Sequence, residues 1–127
     1  MSAIRRIGVG SLLSDAAVHG GLVFVAGQAA DDSSVGVREQ TRQTLGRIDE
    51  VLKEAGSDKT RLLSATVWLA DMADFDVMNA VWEAWLPKGA APARATVQAA
   101  LFDPQALVEI MVIAAVKAGT GPQQAGE

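Results

Sequence analysis

The apolar segment at residues 107–116 constrains the fold of this chain more than any other feature. It reads LVEIMVIAAV, and every residue in it except Glu109 is apolar. Alternate side chains of a strand point to opposite faces, so a strand formed here is apolar on both faces. Strands of this composition are buried on both sides in folded proteins. The segment therefore predicts a strand that needs cover on each face.

The rest of the sequence predicts an α+β domain around this strand. Apolar residues recur at steps of three and four over about 35–55 and 74–86, which is typical of amphipathic helices. Strand-like patterns lie at about 4–9, 22–26, 62–69 and 94–101. The predicted architecture is a mostly antiparallel sheet with two helices on one face.

Turn residues and chain length set the connections and limits of this domain. Asp103-Pro104, between the strands at 94–101 and 107–116, predicts a hairpin. A chain of 127 residues is long enough for one core but too short for two, so we expect a single domain at 1–117. The small and polar residues of 118–127 predict a disordered tail.

The predicted helices can cover only one face of the sheet. The strand at 107–116 then leaves its second apolar face exposed to water, which is unfavourable for a monomer. A second subunit is the simplest cover for that face. The pattern therefore predicts a homo-oligomer.

Composition limits the kinds of site that the chain can form. It has no cysteine and no tyrosine, and its single histidine, His19, lies beside two glycines in a predicted turn. A thiolate nucleophile is excluded, and a metal site or a Ser-His-Asp triad is disfavoured. The net charge of −4 disfavours nucleic-acid binding. No apolar run suits a membrane span or a signal peptide, so we expect a cytoplasmic protein without a membrane partner.

Arg94 and Glu109 are charged residues inside two of the predicted strands. A buried charge without a partner is costly, so each needs a reason for its position. One interpretation is a structural ion pair or a water-facing edge. The other is a site in which the guanidinium binds an anion, and the carboxylate positions a water molecule and transfers protons. The predicted hairpin separates them by about 17 Å, so they either act separately or meet across a subunit boundary.

Three blocks of the sequence resemble one protein family. They are LVFVAGQ at 22–28, SATVWLADMADFDVMNAVWEAW at 64–85, and the pair PARATV and LVEIMVIAAV between 92 and 116. Together they resemble the RidA/YjgF reactive-intermediate deaminases, and the middle block is most similar to the YoaB-like branch. The resemblance covers nearly the whole chain apart from the tail. It implies a chorismate-mutase-like α+β fold assembled as a homotrimer, with ligand clefts between subunits.

The resemblance also implies an activity and a set of site residues. The family hydrolyses reactive enamines and 2-imino acids, such as 2-aminoacrylate, to 2-keto acids and ammonia without a cofactor. By position, Arg94 matches the arginine that holds the substrate carboxylate. Glu109 matches the carboxylate near the attacking water. Gly27, Thr96 and Asn79 fall at positions that line the cleft.

The chain departs from the family pattern at two positions. Leu13, within the segment Ser-Leu-Leu-Ser at 11–14, stands where members usually have a tyrosine, and Ala26 stands where they have a serine. Both replacements remove hydrogen-bonding groups from the implied cleft. The sequence therefore leaves open a non-catalytic trimer that binds a 2-keto acid or another small carboxylate. A nuclease or protein-interaction role, attributed to some relatives, is disfavoured by the acidic charge and the lack of tyrosine.

Overall fold

The computed structural model describes residues 3–118, which form a six-stranded sheet and two α-helices. The strands are β1 (Arg5–Ile7), β2 (Ala16–His19), β3 (Leu22–Gln28), β4 (Leu62–Leu69), β5 (Ala93–Gln98) and β6 (Val108–Ala115). The helices are α1 (Val37–Glu54) and α2 (Phe75–Trp85), and short 3-10 turns precede β4 and α2. The predicted tail at 118–127 lies outside the described residues except for Ala118.

The strand order is β1-β2-β3-β6-β4-β5. All neighbours are antiparallel except β4 and β5. The predicted hairpin of 94–101 with 107–116 is therefore wrong, because β6 inserts between β3 and β4 while β5 pairs in parallel with the other edge of β4. The physical reason is α2, which joins β4 to β5 as a helical crossover, the connection that parallel neighbours require.

Both helices pack on one face of the sheet, and the core lies between them and the strands. Val25, Val67 and Ile110 represent the side chains that the strands send to this face, and each is at most 2% exposed. Each helix packs a stripe of apolar side chains at helical spacing against these strands. The stripes are Leu45, Ile48, Val51 and Leu52 on α1, and Met78, Val81 and Trp82 on α2. The predicted α+β architecture with two helices on one face is thus confirmed.

The opposite face of the sheet, called the open face below, carries the alternate side chains of the same strands. Glu109, Met111 and Ile113 of β6 point to it and are only half-buried. Phe24 on β3 and Val97 on β5 are 45% and 44% exposed there. An apolar surface of this kind is typical of an interaction site, so the fold retains the feature from which a homo-oligomer is predicted.

A β-bulge in β3 determines which side chains meet β6 at the end of the strand. Val25 pairs with Val112, but the next paired residue is Gln28, which lies opposite Ile110. The extra residue turns Gln28 into the core, where its Oε1 accepts a hydrogen bond from Arg47 Nε at 3.0 Å. Bulges re-aim side chains in this way. The bulge leaves Gly27 on the open face beside β6.

Candidate functional site

Arg94 lies on the edge strand β5 and points to the helix-covered face, beneath α2. It pairs with Ala65 of β4, whose side chain is buried in the core. The guanidinium carbon lies 5.3 Å from the ring centroid of Trp82 and 6.0 Å from that of Phe75. Nη1 lies 3.9 Å from the sulfur of Met78. Ring faces attract a cation, so α2 positions the guanidinium without a carboxylate.

The guanidinium of Arg94 is available to an anion. Its side chain forms no ion pair with any residue in the range 3–118, which rules out a structural ion pair inside that range. Burial lowers the pKa of Arg94 from its usual value, because desolvation disfavours the charged form. An arginine still remains protonated at neutral pH. The planar fork of donors suits a carboxylate, which it can bind through two parallel hydrogen bonds.

Two polar atoms on the elements that hold Arg94 lack a hydrogen-bond partner. Thr96 lies two residues further along the same face of β5, and Asn79 follows Met78 on α2. Thr96 Oγ1 and Asn79 Oδ1 are shielded from solvent, and neither bonds to any part of the described chain. An unpaired buried polar atom costs about 1–3 kcal/mol, so each of the two needs a partner from outside the described chain, either water or another molecule. Arg94, Thr96 and Asn79 form what we call the arginine half-site.

Glu109 and Gly27 form a second arrangement, which we call the glutamate half-site. Glu109 points to the open face from β6 and pairs on one side with Trp68 of β4. On the other side its carboxylate lies over Gly27, where an added Cβ would be 2.1 Å from Oε2. Any larger residue at position 27 would therefore displace the carboxylate. Glu109 forms no ion pair within residues 3–118, so this carboxylate is also without a charged partner there.

The two half-sites lie on opposite faces of one sheet. Arg94 pairs with Ala65 of β4, which faces the core. Glu109 pairs with Trp68 of β4, which faces the opposite side. Strand β4 lies between β5, which carries Arg94, and β6, which carries Glu109. The separation expected from the sequence used a wrong hairpin. Its conclusion, that the two charges do not pair directly within one subunit, is nevertheless confirmed. A small ligand that contacts both side chains would need two subunits.

The aromatic support of Arg94 is the part of the site that the sequence did not reveal. The spacing of Phe75, Met78 and Trp82 predicts a core stripe, and Met78 and Trp82 are indeed buried. The same stripe also holds the guanidinium. The signal that would have found this second role is the β4-α2-β5 crossover, because it places the start of β5 under α2.

Other kinds of site find no support in the described residues. Across residues 3–118, no group of three or more His, Cys, Asp or Glu side chains could hold a metal ion. No helix of that range is both long and apolar enough to cross a membrane.

This sheet order, with both helices on one face, is that of an α+β protein of the RidA type. Comparisons of sequence and fold with known proteins support this assignment. A family model described as endoribonuclease L-PSP matches residues 4–116. The RutC family protein YoaB of Escherichia coli (strain K12) is 42% identical over 113 residues, which cover 89% of this chain and 98% of that protein. A crystal structure of a YjgF family member from Neisseria meningitidis has a TM-score of 0.89 and 39% identity, covering 92% of this chain and 98% of that one. The chain therefore belongs to the RidA/YjgF family, in its YoaB-like branch.

A more distant relative is named as an enzyme. The 2-iminobutanoate/2-iminopropanoate deaminase of Rattus norvegicus is 37% identical over 98 residues, which cover 72% of this chain and 71% of that protein. That name describes the rat protein.

Proposed function

We propose that this protein hydrolyses reactive 2-imino acids to 2-keto acids and ammonia, in a cleft formed between two subunits of a homotrimer. The observation that carries the proposal is the presence of two unpaired charges of opposite sign on opposite faces of one sheet. Arg94 and Glu109 each lack an ion-pair partner within residues 3–118. The name of the rat relative supports the choice of reaction.

The positions of the half-sites support this assembly. A subunit interface joins the arginine half-site of one subunit to the glutamate half-site of the next, so one ligand contacts both. A head-to-tail contact closes into a ring when its rotation allows, and the family resemblance implies a ring of three. Val97, an exposed apolar side chain on the open face, supports a buried interface on that side.

The substrate is held through its carboxylate. A 2-imino acid presents a carboxylate next to its imine carbon, and Arg94 binds that carboxylate through two hydrogen bonds, which fixes the position of the carbon. The stacking on Trp82 and Phe75 orients the guanidinium before the substrate arrives. Thr96 Oγ1 and Asn79 Oδ1 are unpaired and remain available to the ligand or its water.

The hydrolysis needs a base and an acid but no cofactor. The net reaction is R–C(=NH2+)–COO− + H2O → R–CO–COO− + NH4+. Water adds to the electrophilic carbon as Glu109 accepts its proton, and the same carboxyl returns that proton to the nitrogen. The carbon–nitrogen bond then breaks to release NH3, and the hydroxyl oxygen becomes the keto oxygen as Glu109 takes its proton. That proton passes to the ammonia, which departs as NH4+.

The test is clearance of imines by purified protein. An amino-acid oxidase generates 2-imino acids in the presence of semicarbazide, and the rate of semicarbazone formation reports the imine that escapes hydrolysis. We expect the wild-type protein to suppress that rate, and Arg94→Ala and Glu109→Gln to lose at least about 100-fold of the effect while keeping fold and assembly. Full activity in either folded variant would contradict the proposal. If the wild-type protein does not hydrolyse imines, and if Glu109→Gln binds 2-keto acids as tightly as the wild type does, the protein is instead a carboxylate-binding protein.

A further inference from the structure

A cavity on the open face lies next to the glutamate half-site. It is a groove broadly open to solvent with a volume of about 550 Å³, and it lies between the loop that joins β1 to β2 and strands β2, β3 and β6. That volume falls within the range of small-molecule sites. The side chains that give it its character are apolar: Val9, Leu12, Leu13, Phe24, Ala26 and Met111.

The cavity begins close to the position proposed for the reacting carbon. Met111 lies two residues beyond Glu109 on the same face of β6, a step of about 7 Å along a strand. Ala26 directly precedes Gly27 on β3. Both Met111 and Ala26 line the cavity. A ligand whose imine carbon lies at Glu109 can therefore extend a side chain into this space.

The loop side of the cavity is unusually apolar for a surface. Leu12 is 94% exposed, Leu13 is 62% exposed and Val9 is 68% exposed. The free energy of the protein falls when an apolar group covers these side chains and removes them from water. The backbone of the loop is fixed by a turn, in which Gly10 N donates to Leu13 O at 2.8 Å. The loop thus presents its leucines from a defined position.

One charged residue lines the cavity, at the end far from Glu109. Arg6 belongs to β1, which lies three strands away from β6. Three strand spacings correspond to about 14 Å. A side chain that begins at Glu109 meets Met111 and Phe24 long before it reaches Arg6. The near part of the cavity therefore selects apolar groups.

We propose that this cavity is the subsite for the substrate side chain, and that it selects 2-imino acids and 2-keto acids with apolar side chains of about four non-hydrogen atoms or more. Leucine, methionine and phenylalanine would supply such imines, through oxidation of the amino acid. Side chains of one or two carbons would not reach past Met111. This inference rests on the proposed function, because the position of Glu109 relative to the reacting carbon defines where the side chain begins.

Two independent measurements test the subsite. The first is calorimetric binding of pyruvate, 2-oxobutanoate, 4-methyl-2-oxopentanoate and 2-oxoglutarate, which needs no turnover. The second is clearance of the imines from leucine and from 2-aminobutyrate. We expect 4-methyl-2-oxopentanoate to bind about 10-fold more tightly than 2-oxobutanoate, with a similar ratio of kcat/KM, since apolar pockets discriminate by about this factor per added carbon or two.

Variants locate the preference in the cavity. Leu13→Ser and Phe24→Ser should each reduce the ratio about 3-fold to 10-fold, because they weaken binding of the larger ligand more than binding of 2-oxobutanoate. Phe102→Ser is the matched control, because Phe102 is 78% exposed and does not line the cavity. If both cavity variants keep the wild-type ratio of affinities for 4-methyl-2-oxopentanoate and 2-oxobutanoate, the inference is wrong, whether or not the substitutions change the mass of the oligomer. Tightest binding of pyruvate or 2-oxoglutarate would also overturn it, the latter by indicating that Arg6 selects an acidic side chain.

The outcomes separate this inference from the proposed function. Turnover without a preference for the larger side chain contradicts the subsite and leaves the hydrolysis intact. A preference in binding without turnover contradicts the hydrolysis and supports the subsite. Absence of both binding and turnover contradicts both.

Discussion

The carboxylate of Glu109 occupies the space that a side chain at position 27 would need. A Cβ added to Gly27 would lie 2.1 Å from Oε2 and 3.0 Å from Cδ of Glu109. Two atoms that are not bonded cannot approach so closely. The carboxylate can therefore lie where it does only because residue 27 has no side chain. The contact links β3 to β6 at the bulge, on the open face.

Gly27→Ala should therefore reduce hydrolysis much more than stability. The clash involves mainly the end of a flexible side chain, so Glu109 can swing aside and the free energy of unfolding should change by no more than about 1 kcal/mol. A displacement of about 1 Å in a reacting group can cost roughly 100-fold in rate. Denaturant melts and imine clearance, measured on the same preparation, give the two quantities.

The matched control for this substitution is Gly46→Ala. Gly46 lies within α1 and a Cβ there meets nothing within 4 Å. Alanine is the better helix former by about 0.5–1 kcal/mol, so the control should be slightly more stable and fully active. Equal activity of Gly27→Ala and Gly46→Ala would contradict the role assigned to the Glu109 carboxylate.

The ring of Trp82 should set the affinity for the substrate carboxylate through Arg94. Cation–π stacking on a partly desolvated ring contributes about 1–2 kcal/mol. We expect Trp82→Leu to raise KM about 5-fold to 30-fold with little change in kcat, since the carboxylate contact is the same in ground and transition states. Trp82→Phe keeps a ring face and should restore most of the affinity.

The split between KM and kcat distinguishes positioning from general damage. Trp82 is buried, so Trp82→Leu will also lower stability, and activity must be measured well below the unfolding transition. Equal loss of kcat in the Leu and Phe variants would indicate a packing defect instead. Binding of a 2-keto acid by each variant gives the affinity without turnover.

Asp58 should make stability depend on pH at the start of β4. Its Oδ1 accepts hydrogen bonds from the Thr60 hydroxyl and from Thr60 N at 2.8 Å, and its Oδ2 lies 3.3 Å from Lys117 Nζ. The hydrogen bond from the Thr60 side chain is the main reason that the pKa of Asp58 is lowered. A carboxyl whose pKa is depressed by folding stabilises the protein above its unfolded pKa of about 3.9, and this contribution is lost as pH falls through the folded pKa.

Asp58→Ala should accordingly lower the free energy of unfolding at pH 7 by about 0.5–1 kcal/mol, at the low end for a cap because the group is exposed. The difference from wild type should shrink as pH falls below about 4. Urea melts at pH 7 and pH 3.5 measure it. An unchanged difference at the two values of pH would contradict the assigned ion and hydrogen-bond pairing.

The sequence predicts the elements of this fold better than their order. The apolar segment at 107–116 and the two helical stripes are local patterns, and each corresponds to an element of the structure. Strand order depends on contacts between distant segments. A short connection at 99–107 favours a hairpin by proximity, whereas the helix between β4 and β5 favours a parallel pair, and the helix decides the outcome.

The sequence also singles out two charges as candidate site residues, but it does not predict how they are arranged. Arg94 and Glu109 stand out because a charge inside an apolar strand needs compensation. Which face each one occupies depends on the register of its strand with β4, which alternation alone does not fix. The contact of Gly27 with Glu109 depends further on the bulge in β3, which a glycine inside a strand suggests but whose register it does not fix.

The most direct test of this account is activity in mixed assemblies of two inactive variants. Arg94→Ala keeps the glutamate half-site, and Glu109→Ala keeps the arginine half-site. If each cleft takes one half-site from each of two subunits, random assembly of an equal mixture restores about one quarter of the clefts. We therefore predict about one quarter of wild-type imine clearance after the two variants are unfolded and refolded together, and none when they are refolded apart. Mixed assemblies confirmed by mass that stay as inactive as the separate variants would contradict a site shared between subunits.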